Sequence, residues 1–237
     1  MTERRRVLFY GDSNTYGYDP RGFLGGRYPS ELIWVSRVRE ALKDSWTVMT
    51  DGMNGREIPS SPLTMQALDR TLKRCAPLDL FAVMLGSNDL LFSDPDPQKA
   101  ADKMERMLEH VTVVLERENQ KAQGKCENRR AQVERENQMP QGKEKRENLK
   151  AQGKRENQKV QAEILLIAPP LDYSDGERLK KASVRLGVLY RELAERKHYH
   201  FLDVGSQNFS LAFDGLHFSE EGHRQMGEFA AGALAKL

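Results

Sequence analysis

Five short apolar runs, Val7–Tyr10, Trp46–Thr50, Leu80–Leu85, Ile164–Ala168 and His200–Val204, alternate with stretches of helical periodicity, and that alternation narrows the folds open to this chain. Each run is nearly continuous in apolar residues, as parallel strands covered on both faces require. Between the runs, Leu32, Val35, Val38 and Leu42 share one helical face, as do Met104, Met107, Leu108, Val111 and Leu115. Leu179, Ala182, Leu186, Leu189 and Leu193 make a third stripe, and Met226, Ala230, Ala233 and Leu237 a fourth. These stripes read as core. Strands alternating with helices predict a three-layer α/β/α domain around a five-stranded, mostly parallel sheet. At 237 residues the chain fits one such domain.

Residues 117–163 break the pattern. They read RENQKAQGK, CENRRAQVE, RENQMPQGK, an extra Glu144-Lys145, RENLKAQGK and RENQKVQAE, five near-copies of nine residues. Nine residues at ~100° each turn a helix by two and a half revolutions, so successive copies face opposite sides and no apolar stripe forms. Gly124, Gly142 and Gly153 are expected to interrupt helix propagation and Pro140 to stop it. The segment is therefore expected to be a solvated insertion, partly helical or disordered, between the third helix and the fourth strand. Extra length costs little in a surface loop, so a tolerated tandem expansion is the simplest account. A basic arm for RNA or a protein partner is the alternative, weakened by the lack of aromatics to stack on bases.

The segment also explains the charge. It holds 13 Lys/Arg and 8 Asp/Glu, a net of +5 against +2 for the whole chain, so the remainder is acidic. The pI of 8.5 and mean hydropathy of −0.69 thus reflect this segment heavily and do not argue for nucleic-acid binding. Cys75 and Cys126 show no metal or disulfide spacing, and Cys126 stands where other copies carry arginine. The basic start Thr2–Arg6 leads into an apolar stretch that stops at Gly11 without a cleavage signature, and no run approaches ~20 apolar residues. A cytoplasmic protein without cofactor or metal is the expectation.

The chemistry is written at the ends of the runs. Gly11-Asp12-Ser13-Asn14 follows the first, which puts a serine hydroxyl on a sharp turn at the sheet's edge. Asp214-Gly215-Leu216-His217 follows the fifth and supplies an acid and a base three residues apart. Gly52 follows the second run and Asn88, in Gly86-Ser87-Asn88-Asp89, the third. All lie past C-terminal strand ends, where open α/β sheets bind ligands. Each motif alone is a common turn; their joint occurrence in this order points to a hydrolase site. His223 is the nearest competitor for the base and Asp203 for the acid. His110, His198 and His200 lack such a setting. Gly22–Gly26 is glycine-rich but follows no strand, so it is no dinucleotide fingerprint.

These blocks resemble the SGNH hydrolases, also called GDSL esterases or lipases, over Val7–Leu115 and Ile164–Leu237. Gly11–Tyr18, Asp51–Arg56, Met84–Asp89, Ile167–Pro170 and Asp214–His217 are most similar to the arylesterase and acyltransferase branch, although Glu57–Met65 is shorter than there. The resemblance implies the flavodoxin-like fold of that family, with Ser13 as nucleophile, His217 as base and Asp214 as acid. It makes the backbone N–H groups of Ser13 and Gly52 and the amide of Asn88 the oxyanion donors. Tyr16, Trp34 and Arg56 are candidate substrate contacts, with core packing open for Tyr16, Tyr18 and Trp34 and a bracing role open for Arg56.

The residue types suit those roles. A serine hydroxyl is a weak nucleophile without an adjacent base, and an imidazole changes charge near neutrality. A carboxylate at Nδ1 leaves Nε2 facing the serine. Glycine lets a substrate approach the backbone closely, and asparagine donates without a competing charge. The expected activity is esterase action through an acyl-enzyme on small short-acyl esters, such as an acetylated sugar or aryl acetate, with alcohol in place of water giving acyl transfer. A thioesterase or lysophospholipase is the alternative within the family, and an interaction protein using the repeat arm the alternative outside it. A homo-oligomer is possible for such a chain.

Overall fold

The structure, a computed structural model, describes residues 4–22, 26–91, 94–137, 161–170 and 177–237. Gly142, Gly153 and Pro140 of the repeats lie outside them. Strands β1 (Arg5–Gly11), β2 (Trp46–Gly52), β3 (Leu80–Met84), β4 (Glu163–Ala168) and β5 (His200–Asp203) form one sheet in the order β2-β1-β3-β4-β5. Every pairing is parallel. The order reverses at β1, so the ends of β2, β1 and β3 border the switch point where such sheets bind ligands. Gly11 stands in register with Gly52 on one side and Met84 on the other.

Alternate side chains of each strand feed two cores. Val7 and Phe9 pack with α2 (Trp34–Ala41) and α7 (Glu220–Leu234) on one face. Leu8 and Tyr10 pack on the other with α3 (Pro62–Cys75), α5 (Pro97–Asn137) and α6 (Glu177–Lys197). Two short helices, α1 (Ser13–Tyr16) and α4 (Ser87–Leu91), follow β1 and β3 directly. Helix α3 was not anticipated from the sequence. Its buried stripe is only Leu68, Thr71, Leu72 and Cys75, and it starts at Pro62 under a Ser61–Thr64 capping box.

At Gly124 the repeats depart from expectation. Helix α5 runs through Gly124 to Asn137, covering the first two copies without a break. A glycine costs a helix only about 1 kcal/mol against alanine, and surrounding Glu, Gln, Lys and Ala offset that. The first copy is not wholly solvated either: Asn119 is buried, accepting from Leu78 N at 3.0 Å and donating from Nδ2 to Leu78 O at 2.8 Å. The last copy ends inside β4, where Glu163 N donates to Asp79 O at 2.8 Å. Among the described residues, no helix is long and apolar enough to cross a membrane.

Candidate active site

The turn after β1 is built tightly around Ser13. Asp12 caps α1, its Oδ1 accepting from Asn14 N at 3.0 Å, and Gly17 closes the helix at φ +86°. A Cβ on Gly11 would lie 2.1 Å from Thr15 Oγ1, so only glycine admits this close turn. Burial pushes the Asp12 carboxyl up to about 7, against the pull of the Asn14 N–H and of Arg56.

His217 arrives from the loop between β5 and α7. Its Nε2 lies 2.9 Å from Ser13 Oγ and its Nδ1 2.6 Å from Asp214 Oδ2. Asp214 Oδ1 accepts from the backbone N–H of Leu216 and of His217, both at 3.0 Å. Gly215, at φ +63°, lets the chain turn between them. Burial raises the Asp214 carboxyl, but the His217 side chain and the two N–H donors outweigh it and hold it below the usual carboxylate range. An ionised Asp214 takes the Nδ1–H, which leaves Nε2 to accept from Ser13 Oγ. Tyr18 lies against the imidazole, ring centroids 4.5 Å apart.

Gly52 ends β2 in register with Gly11, and Asn88 lies in α4 directly after β3. A Cβ on Gly52 would lie 2.3 Å from Tyr16 N and 2.6 Å from Thr15 C. The backbone of α1, rather than an approaching substrate, is thus what demands a glycine there. Asn88 is buried, and its Nδ2 donates to Arg56 O at 3.0 Å. Its neighbour Asp89 accepts from Ile58 N at 2.9 Å and from Lys103 Nζ at 2.8 Å, which pins α4 to α5 and to the Arg56 loop. Sequence reasoning passed over Lys103, because a lysine beside an apolar stripe looks like any solvated helix residue.

Two of the three candidate substrate contacts lie inside the protein. Trp34 is fully buried, edge-on to Phe9, with Nε1 donating to Asn14 O at 2.9 Å. The Arg56 guanidinium is buried over the Tyr10 ring and donates to Gly11 O, Asp51 O and Asp51 Oδ1. Both side chains point into the scaffold because buried N–H groups need internal acceptors. Tyr16 remains half-buried, its ring under the guanidinium of Arg27.

His223 sits wholly buried in α7 against Tyr28 and Phe218, its Nδ1 toward Trp34 N. Burial pulls it down to about 4, so it is neutral, and it does not meet Ser13. Asp203 holds Ser206 N and pairs with Arg191. Among the described residues, no group of three or more His, Cys, Asp and Glu could hold a metal ion.

The chain matches the model of the GDSL-like lipase/acylhydrolase family over residues 9–225. Among solved structures it is similar to a carbohydrate acetylesterase family member from Sinorhizobium meliloti, at 26% identity and TM-score 0.69 over 98% of both chains. It is also similar to the M. smegmatis aryl esterase, at 21% identity and TM-score 0.72, covering 98% of this chain and 99% of that one. A second carbohydrate acetylesterase from Sinorhizobium meliloti has 22% identity and TM-score 0.71 over 98% and 99%. No curated protein sequence matches the chain.

Proposed function

The chain belongs to the GDSL-like lipase/acylhydrolase family and is a serine esterase of the SGNH type; from that premise we propose that Ser13, His217 and Asp214 cleave small short-acyl esters through an acyl-enzyme. The observation that carries this reading is the unbroken chain from Ser13 Oγ through the imidazole to Asp214 Oδ2, at 2.9 and 2.6 Å.

In the first half-reaction Ser13 Oγ adds to the ester carbonyl while its proton passes to His217 Nε2. The imidazolium formed is stabilised at Nδ1 by Asp214, already ionised and held by two backbone donors. The N–H groups of Ser13 and Gly52 and the second amide hydrogen of Asn88 receive the oxyanion. His217 Nε2 then returns its proton to the leaving alcohol, and the acyl group stays on Ser13. Water repeats the sequence in reverse roles and releases the acid; an alcohol in its place gives a new ester. Likeness to a carbohydrate acetylesterase family member and to the arylesterase-type motifs supports acetylated sugars and aryl acetates as substrates. No step draws on α5 beyond Asn119.

The test is p-nitrophenyl acetate hydrolysis and release of acetate from acetylated sugars. Ser13→Ala is expected to fold as wild type and lose turnover on both. A Ser13→Ala protein with wild-type turnover would refute the assignment.

A further inference from the structure

Asp214 orients the imidazole, but among the described residues its side-chain hydrogen bonds stay within its own loop, to Leu216 N, His217 N and His217 Nδ1. Something else must set the distance between that loop and the serine. The residue after Ser13 bridges the two. Asn14 Nδ2 donates to Leu216 O at 3.1 Å, and Asn14 Oδ1 accepts from Phe218 N at 2.8 Å. The two bonds straddle His217, gripping the backbone on either side of it across more than 200 residues of chain. The pairing also fixes the amide's orientation, since a carbonyl needs a donor and an N–H an acceptor.

Asn14 is itself immobilised. It is 2% exposed, its N–H donates to Asp12 Oδ1, and its carbonyl accepts from the buried Trp34 indole at 2.9 Å. A nucleophile and its base are thus held by one covalent step and one two-pronged clamp. We propose that Asn14 is a positioning residue that sets the Ser13–His217 separation by clamping the backbone on both sides of His217. This rests on the serine-esterase reading above. The energetic logic is that a misplacement of about 1 Å at a reacting pair can cost ~10²-fold in rate.

The experiment compares wild type, Ser13→Ala, Asn14→Leu and Asn14→Asp. Asn14→Leu keeps the volume and removes both prongs; it is expected to lower kcat about 100-fold with KM little changed. Asn14→Asp keeps an acceptor for Phe218 N and loses the donor, and should fall between the two. A wild-type kcat in folded Asn14→Leu, or a loss that only follows its unfolded fraction, overturns the clamp. If that variant does not fold, a wild-type kcat in Asn14→Asp does the same. A second readout needs no turnover: a crystal structure of Asn14→Leu should show His217 Nε2 withdrawn from hydrogen-bond distance of Ser13 Oγ, whereas the Asp214–His217 bond, internal to its loop, should persist. An Nε2 still at hydrogen-bond distance from Oγ in that variant counts against the clamp even if no ester is ever cleaved, whereas full turnover in Ser13→Ala would sink the esterase reading alone.

Discussion

The carbonyl oxygen of Arg56 accepts a hydrogen bond from Asn88 Nδ2 at 3.0 Å, while the guanidinium of the same arginine holds Gly11 O at the end of β1. One buried residue thereby orients an amide on α4 relative to the strand that leads into Ser13. Asn88 spends one of its two amide hydrogens on this brace and keeps the other for the proposed oxyanion. Asn88→Ala is expected to lose ~10²–10³ in kcat on p-nitrophenyl acetate, as for loss of one preorganised donor. Asn88→Asp should do no better, because its carboxylate offers no donor and repels the oxyanion. Wild-type kcat in Asn88→Ala would remove this residue from the hole.

Gly52→Ala separates two reasons for a glycine. If the α1 backbone demands it, the added Cβ, placed 2.3 Å from Tyr16 N, must push α1 from β2. Overpacking of this kind costs about 1–3 kcal/mol, so the urea midpoint should fall together with activity. An unchanged midpoint with lost activity would instead favour substrate approach as the reason.

Two buried groups make stability depend on pH with opposite signs. Asp12 rises from 3.8 to about 7 on folding, chiefly by burial, so the folded state binds more protons between these values. Its contribution is fully present below 3.8 and is lost as pH rises through about 7. His223 falls from 6.5 to about 4, also chiefly by burial, so its contribution is present above 6.5 and lost as pH falls toward 4. Asp12→Asn should therefore gain stability relative to wild type as pH rises from 4 to 8, and His223→Asn should gain it as pH falls from 7 to 4. Urea midpoints across this range check both; parallel wild-type and mutant curves would contradict the two shifts.

The two ends of the repeat segment dock side by side, Asn119 on Leu78 and Glu163 on Asp79. Five residues, each reaching up to ~3.3–3.6 Å, would span that gap. Deleting residues 120–157 joins Asn119 to Gln158 and keeps both anchors. The described side chains of α5 between Gln120 and Asn128 are exposed or half-exposed, so none of these is a core residue. The shortened chain is expected to keep wild-type kcat and unfolding midpoint. Loss of either would show that the repeats support the catalytic domain. Salt-dependent RNA binding by wild type that vanishes on deletion would give the arm a role of its own.

What could be read without coordinates was whatever obeys a local period. Strands buried on both faces announce themselves as apolar runs, and the reading erred only at their ends, where the ladder extends to Gly11 and Gly52. Helix α3 escaped because its stripe is short and includes Thr71. The break expected at Gly124 failed because a single glycine's cost is smaller than the summed propensity around it.

From residue types and order alone came the α/β alternation and a serine, a histidine and an aspartate of the right kinds at strand ends. Only the tertiary structure decided that Trp34 and Arg56 turn inward to buried acceptors, and that Asn14 reaches the backbone beside His217. The reason is physical: burial patterns repeat every few residues and leave a trace in the chain, whereas a hydrogen bond joining residues 200 positions apart depends on directions fixed only once the strands are packed.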